Sequence, residues 1–356
     1  MNFKKTIYPL TYKETYMKKF FFYLTVSLLA VWSGVLAQPK FSGLFFGDYY
    51  YMANNHIGSQ KTMQAFDYRR IYLTTDYAIA EDVMARFRLE SDPGASSLGT
   101  GNNTGKLSTM VKDAWFQINK VTDGGNMIIG LQGTPNINMA EGIFGYRPLE
   151  KTIQDLHGIS ASRDMGVSFN QKFSDQLLGG LLLGNNSGNG VWTNKYKAAY
   201  LYVQYNPMKE LTVLVDGQYN GVAVSSFNRT ADVIVNYANT SLSLGVQYFL
   251  NGKNAAAGAP TIKQSGISLN GWAALSDNLH LVARYDNYTP DADHKNTSIG
   301  TSTQSFILGG LDWSIKKNVH FMPNVEYTSY ASYTTAGVST SPDPDVLTRI
   351  TFYISF

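Results

Sequence analysis

The 356-residue chain contains no cysteine, which excludes a disulfide framework and any thiolate metal or catalytic site. Charged residues are 15% of the total, well under the roughly 25% of soluble domains, while aromatics reach 13%. The formal charge of +3 comes from residues 1–37, which hold five lysines and one glutamate; the remainder has 24 basic against 25 acidic groups, so nucleic-acid binding has no basic patch to rest on.

In chain order, Lys18 and Lys19 precede an apolar run from Phe20 to Trp32, and Val35-Leu36-Ala37 places small residues before Gln38. This predicts a secretory signal peptide over 1–37, with Met17 as a second candidate start that would make 1–16 an upstream extension. A membrane anchor is the rival reading, but the run is shorter than the ~20 residues a helical span needs. The expected product is residues 38–356 as one transmembrane domain. An exported chain that is poor in charge, rich in aromatics and without an apolar helix fits an outer-membrane β-barrel.

Alternating segments of about ten residues predict strands at 40–52, 65–79, 82–92, 109–119, 126–137, 163–174, 176–186 and 195–206, then at 209–220, 230–239, 241–250, 262–275, 278–289, 303–315, 318–330 and 346–356. Short turns such as Ala80-Glu81, Pro207-Met208 and Ser276-Asp277 alternate with longer Gly-, Asn- and Ser-rich connections. Short periplasmic turns and long external loops are the pattern of an antiparallel transmembrane barrel of about 16 strands. In the third strand Val83, Ala85, Phe87 and Leu89 oppose Met84, Arg86, Arg88 and Glu90. An Arg at the lipid midplane costs ~2–4 kcal/mol, so the charged face must be the lumen. By the same alternation Arg70, Asp113 and Arg284 join the lumen wall. Tyr77, Phe173, Tyr205, Tyr237, Tyr248 and Trp313 are read as a periplasmic aromatic girdle, and Pro323 predicts a bulge in the fifteenth strand. The final Phe352, Ile354 and Phe356 share one face and are expected to be the signal read by the barrel-assembly machinery.

Residues 138–162 break the alternation. Pro148 is suited to open a short helix with Leu149, Ile153 and Leu156 on one face, Lys151 and Asp155 paired, and Gly158 at its end. Counting strands places this segment in the third outer loop. Folded inward, Glu141, Arg147, Glu150, Lys151, Asp155 and His157 would form a pore constriction facing Arg70, Arg86, Arg88 and Glu90. The alternatives are that these loop charges pin the segment to the wall, and that the arginines pair within it, Arg86 with Asp76 and Arg70 with Glu90.

Gly145-Tyr146-Arg147-Pro148-Leu149-Glu150-Lys151-Thr152-Ile153-Gln154-Asp155-Leu156-His157-Gly158, with Arg163-Asp164-Met165-Gly166-Val167, resembles the third-loop region of Bacteroidetes-type outer-membrane porins grouped with phosphate-selective porin O/P-like proteins. Arg70-Ile71-Tyr72-Leu73, Lys112-Asp113-Ala114-Trp115-Phe116 and Met322-Pro323-Asn324-Val325-Glu326-Tyr327 resemble other strands of that group. The resemblance implies a sixteen-stranded pore, a homotrimer, and a third loop that narrows the channel. The lumen set is mixed in sign and has no lysine or arginine ladder for a dedicated phosphate path.

His157, Asp155 and Ser160 do not fix a nucleophile–base pair, so no enzyme and no cofactor is expected. Asp291/Asp293 and Asp343/Asp345 fall short of the 6–8 oxygens calcium takes, so no metal is expected either. The sequence therefore predicts a diffusion channel for small hydrophilic solutes in the outer membrane of a Gram-negative bacterium, in contact with lipid and lipopolysaccharide. Carboxylates slightly outnumber bases in the lumen set, which predicts mild cation preference. A substrate-selective channel for anions, phosphate or oligosaccharides is the second reading, and a plugged structural or adhesion barrel the third.

Overall fold

The computed structural model describes residues 38–92, 108–192, 195–223, 226–254, 256 and 258–356. The expected signal peptide and the tip of the second outer connection lie outside them. Strands β1 (Lys40–Asn54), β2 (Gln64–Ala78), β3 (Val83–Asp92), β4 (Ser108–Thr122) and β5 (Gly125–Gly133) lead to helices α1 (Pro135–Phe144) and α2 (Ile153–Leu156). Then follow β6 (Arg163–Lys172), β7 (Leu177–Gly184), β8 (Ala198–Met208), β9 (Leu211–Ala223), β10 (Ser226–Ala238), β11 (Leu242–Lys253) and β12 (Ile262–Ser276). The chain ends with β13 (Leu279–Thr289), β14 (Gln304–Lys316), β15 (Val319–Tyr330), the short β16 (Tyr333–Thr335) and β17 (Val338–Thr340), and β18 (Asp345–Ser355).

Every strand except β16 and β17 joins one closed barrel, each pairing antiparallel with its sequence neighbour, and β18 pairs with β1 to complete the ring. That makes sixteen barrel strands, while β16 and β17 form a separate hairpin in the last outer connection. Closure leaves no unpaired edge, the condition for a β-structure to cross lipid. No helix among the described residues is long and apolar enough to do so.

The period of two assigns the faces as expected. Leu201, Val215, Leu244 and Leu281 point outward and are exposed, whereas Asp216, Gln218, Ser243, Gln247 and Arg284 are buried on the inner face. So wide an apolar exterior is untenable in water and fits a lipid belt. Phe173, Tyr205, Tyr237 and Trp313 sit exposed at the short-turn rim. Tyr248 does not: β11 begins at its short turn with Leu242, which puts Tyr248 toward the outer end.

At the seam, Phe352 stacks on Phe45 (5.5 Å) and the Phe356 carbonyl accepts from the Gly43 amide (2.9 Å). A Cβ on Gly43 would fall 2.1 Å from the Phe356 ring, so glycine there makes room for the terminal aromatic. Pro323 sits in β15 opposite Ile350 with no bulge; the ladder to β14 only skips Pro323 and Met322, where the proline has no N–H to donate. The fifth outer connection is also shorter than expected, because β9 and β10 continue to Ala223 and Ser226.

Candidate functional site: the third connection and the inner wall

The segment between β5 and β6 begins where the strand pattern stops. Thr134 closes its mouth, donating from its amide to the Ser162 carbonyl (3.2 Å) and from its hydroxyl to the Ala161 carbonyl (2.5 Å). Pro135 then occupies the first turn of α1, and Gly145 ends that helix with φ 75°, a left-handed conformation that glycine adopts without strain. The expected helix start at Pro148 is therefore wrong, since Pro148 lies in the turn between the helices. The principle that proline opens and glycine closes a helix holds thirteen residues earlier. Gly158, also left-handed (φ 61°), follows α2 as expected. Asp155 takes Arg147 as its partner (3.4 Å) where Lys151 was expected, because Lys151 precedes α2.

The segment is apolar where it meets the wall. Phe144, Tyr146 and Leu149 pack with Val282, Phe306, Leu308 and Met322, inner-face residues of β13, β14 and β15. Ala140 packs with Tyr202, Leu214 and Ile234 on β8, β9 and β10, and Ile153 and Ile159 with Phe249 and Tyr288. Gly266 makes room for Ile153, whose Cδ1 lies 2.7 Å from where a Cβ would stand. Leu149 and Ile153 are fully buried. Burying a side chain of that size is worth about 1.5–3 kcal/mol, so these contacts alone hold the segment firmly.

Polar groups fix its orientation. Asn136 donates to Asp216 (2.6 Å), Ser160 donates to Gln218 (2.5 Å), and the Tyr146 hydroxyl lies 3.1 Å from His280 Nδ1 and donates to Asp312 (3.3 Å). Arg69 and Arg349 both donate to the Leu149 carbonyl, at 2.9 and 3.1 Å. Arg349 also pairs with Glu150 (3.3 Å) and with Glu326, and Arg69 with Asp48 (2.7 Å). Burial opposes ionisation of Glu150, but the guanidiniums of Arg349 and Arg69 outweigh it and hold the carboxyl below the usual carboxylate range. The His157 ring stacks on Tyr288 (3.7 Å between centroids), and burial pushes its imidazole down to about 4.

The other expected residues divide by position. Glu141 and Arg147 pair at 2.6 Å on the segment itself, and the Lys151 carbonyl accepts from Arg284. Arg284 is buried beneath the segment and bonded to Asp286, so it holds the segment. Across the lumen, Arg70 pairs with Glu90 (2.9 Å) and Arg86 with Asp76 (2.6 Å), the two wall pairs weighed from sequence. Asp113 bridges Arg88 (3.1 Å) and Arg163 (2.6 Å). Here a polar cavity of about 190 Å³ remains, lined by Arg86, Arg88, Asp113, Trp115, Asn138 and Arg163 among others.

Sequence reading missed Arg69, Lys112, Arg163 and Arg349. Strict alternation sends Arg69 outward next to Arg70, and Lys112 outward next to Asp113. In both places the partner register slips by one: Phe46 opposes Arg70 while Gly47 opposes Tyr68, and Arg88 opposes Asp113 while Leu89 opposes Val111. Arg69 and Lys112 are the extra residues of two bulges, which turn both members of each pair inward. Arg349 obeys the alternation, sharing the inner face with Thr351, and its signal was present amid Ile350 and Phe352. Arg163 does not: it has the parity of the outward-facing Met165, Val167 and Phe169, but as the first residue of β6 it turns inward to Asp113, so both it and Asp164 are buried.

No protein-family model and no curated protein sequence matches the chain. Solved structures do. OmpT of Vibrio cholerae superposes with a TM-score of 0.63 at 14% identity, over 89% of this chain and 97% of that one. An anion-selective porin from Comamonas acidovorans gives 0.62 at 12%, over 90% and 99%, and the outer membrane channel DcaP of Acinetobacter baumannii gives 0.60 at 16%, over 91% and 99%. At such identities the likeness speaks for the fold, and the finer resemblance to Bacteroidetes-type phosphate-selective porins gains no support from it. The chain has the sixteen-stranded barrel fold of these outer-membrane proteins.

Proposed function

We propose that this protein is a passive diffusion channel for small hydrophilic solutes and ions in the outer membrane, narrowed by residues 134–162 lying inside the lumen. The observation that carries the reading is the asymmetry of the inner wall: the β8–β15 side carries apolar patches that the segment covers, while the β3–β6 side stays charged beside open space. The narrow point in this reading involves Arg86, Arg88, Arg163 and Asp113, with Glu141 and Arg147 on the facing segment. The same reading takes residues 1–37 as a leader removed on export, the barrel as one subunit of a homotrimer, and Phe352, Ile354 and Phe356 as the assembly signal.

Local charge favours anions, against the cation preference expected from the whole lumen. Arg86, Arg88 and Arg163 line the cavity with Asp113, and Asp76 offsets Arg86, which leaves one positive charge in excess. At a Debye length of ~8 Å in physiological salt that excess still acts on an ion passing a narrow opening. Planar-bilayer recording of the purified protein in a salt gradient tests both parts. A steady conductance with a reversal potential of anionic sign is expected; a silent bilayer would favour a plugged structural barrel.

A further inference from the structure

Beneath α1 and α2 lies a cluster that the channel reading does not use. Asp216 on β9 and Asp232 on β10 stand directly opposite each other in register, both on the inner face and both buried. One oxygen of each carboxyl is held by an amide: Asn136 Nδ2 donates to Asp216 Oδ1 (2.6 Å), and Gln247 Nε2 donates to Asp232 Oδ2 (2.9 Å). The other two oxygens, Asp216 Oδ2 and Asp232 Oδ1, have no hydrogen-bond partner. Gln154 of α2 is fully buried and turns its amide toward Asp232; neither amide atom has a partner elsewhere, so a half-turn of the amide brings its oxygen to the carboxylates in place of its nitrogen. No Lys, Arg or His among the described residues forms an ion pair with either aspartate.

Two adjoining carboxylates in a dry site cannot both stay ionised without a counter-charge. A shared proton would satisfy the two free carboxyl oxygens but would do nothing for the Gln154 oxygen. A divalent cation meets all three oxygens and cancels both charges. Calcium suits the set better than magnesium, because it accepts bidentate carboxylates and amide carbonyls in irregular geometry and sheds its water more readily.

We infer that Asp216, Asp232 and Gln154 form a calcium site that ties α2 to β9 and β10, with Asn136 and Gln247 orienting the two carboxylates. The ion adds a removable clasp to the apolar contacts that hold the segment.

The test uses the full barrel in detergent, stripped with chelator and titrated with calcium chloride by calorimetry. The native protein is expected to bind one calcium ion per chain more than Asp216→Asn/Asp232→Asn, a pair of changes that keeps shape and removes the charge. Gln154→Met, which leaves both carboxylates, should weaken that binding by about tenfold, the effect of losing a ligand's worth of ~1.4 kcal/mol. Calcium, but not magnesium, should raise the melting temperature of the native protein and leave that of the double variant unchanged. Equal calcium uptake by native and double-variant barrels would overturn the assignment. So would a melting temperature that ignores calcium and falls as pH rises, the signature of a shared proton.

Discussion

Two stretches of one wall, built by the same alternation, do opposite work. From β8 to β15 the inner face carries Leu214, Ile234, Phe249, Val282, Leu308 and Met322, apolar residues that would waste a water-filled lumen. They are the footprint of residues 134–162 and are covered by them. From β2 to β4 the inner face carries Arg69, Arg70, Arg86, Arg88 and Lys112, with two bulges adding cations that alternation alone would not supply. In the proposed reading, one side holds a segment and the other faces water. The lesson is that in a barrel the apolar residues on the wrong face mark where something docks.

The comparison breaks most visibly if the docked segment is removed. Deleting residues 136–158 and bridging Pro135 to Ile159 with a short glycine linker should raise single-channel conductance several-fold and reduce ion selectivity at the same time. Single-channel recording of correctly inserted barrels reads both, and unchanged values would place the segment outside the current path.

The next effect is on the anchors. Arg349 is buried among Glu326, Glu150 and Asp48, so Arg349→Leu strands Glu326 and leaves Glu150 and Asp48 to share Arg69 alone. Breaking a buried pair from one side costs about 3–5 kcal/mol, and equilibrium urea unfolding of the refolded barrel should show a loss of that order. Arg86→Gln, by contrast, frees a partly exposed pair and should change stability by no more than about 1 kcal/mol.

A pH effect follows from His157. Its imidazole has a lower pKa when docked, about 4, than the 6.5 of the free side chain. A base whose folded pKa is depressed contributes docking stability that is fully present above pH 6.5 and is lost as pH falls toward 4. Each pH unit in that window weakens docking by at most about 1.4 kcal/mol, for a total near 3 kcal/mol. Current noise from a loosening segment should therefore grow between pH 7 and pH 4.5 in the native channel. His157→Phe keeps the stacking on Tyr288 and should flatten that dependence.

The smallest expected effect lies on the open side. Arg88→Gln removes one charge beside the cavity and leaves Asp113 to Arg163, so the reversal potential should move toward cation preference with little change in conductance. A shift in the opposite direction would contradict the charge balance assigned to this wall.

Much of this architecture was legible because a barrel strand repeats every two residues and its connections alternate in length, and both patterns survive in the sequence. The helices were misplaced for a specific reason. Gln132, Thr134 and Asn136 continue the polar alternation of β5 past its real end, and only the Thr134 clasp to Ala161 and Ser162, a contact 27 residues away, stops the strand at Gly133. Arg69 and Lys112 were hidden because a bulge is a feature of the pair of strands and not of either sequence alone. Asp216 was placed correctly on the inner face, but its partner Asp232 emerges only from the β9–β10 register.

The most direct test of the two-sided wall uses the absence of native cysteine. Single cysteines at Trp115, beside the polar cavity, and at Ser268, beneath the docked segment, can be exposed to an aqueous thiol reagent during bilayer recording. The current through Trp115→Cys channels should drop promptly as the adduct fills the open side, while Ser268→Cys channels should stay unmodified over the same time. Rapid block at position 268 together with silence at 115 would contradict the account, because it would put the water path on the side assigned to the docked segment.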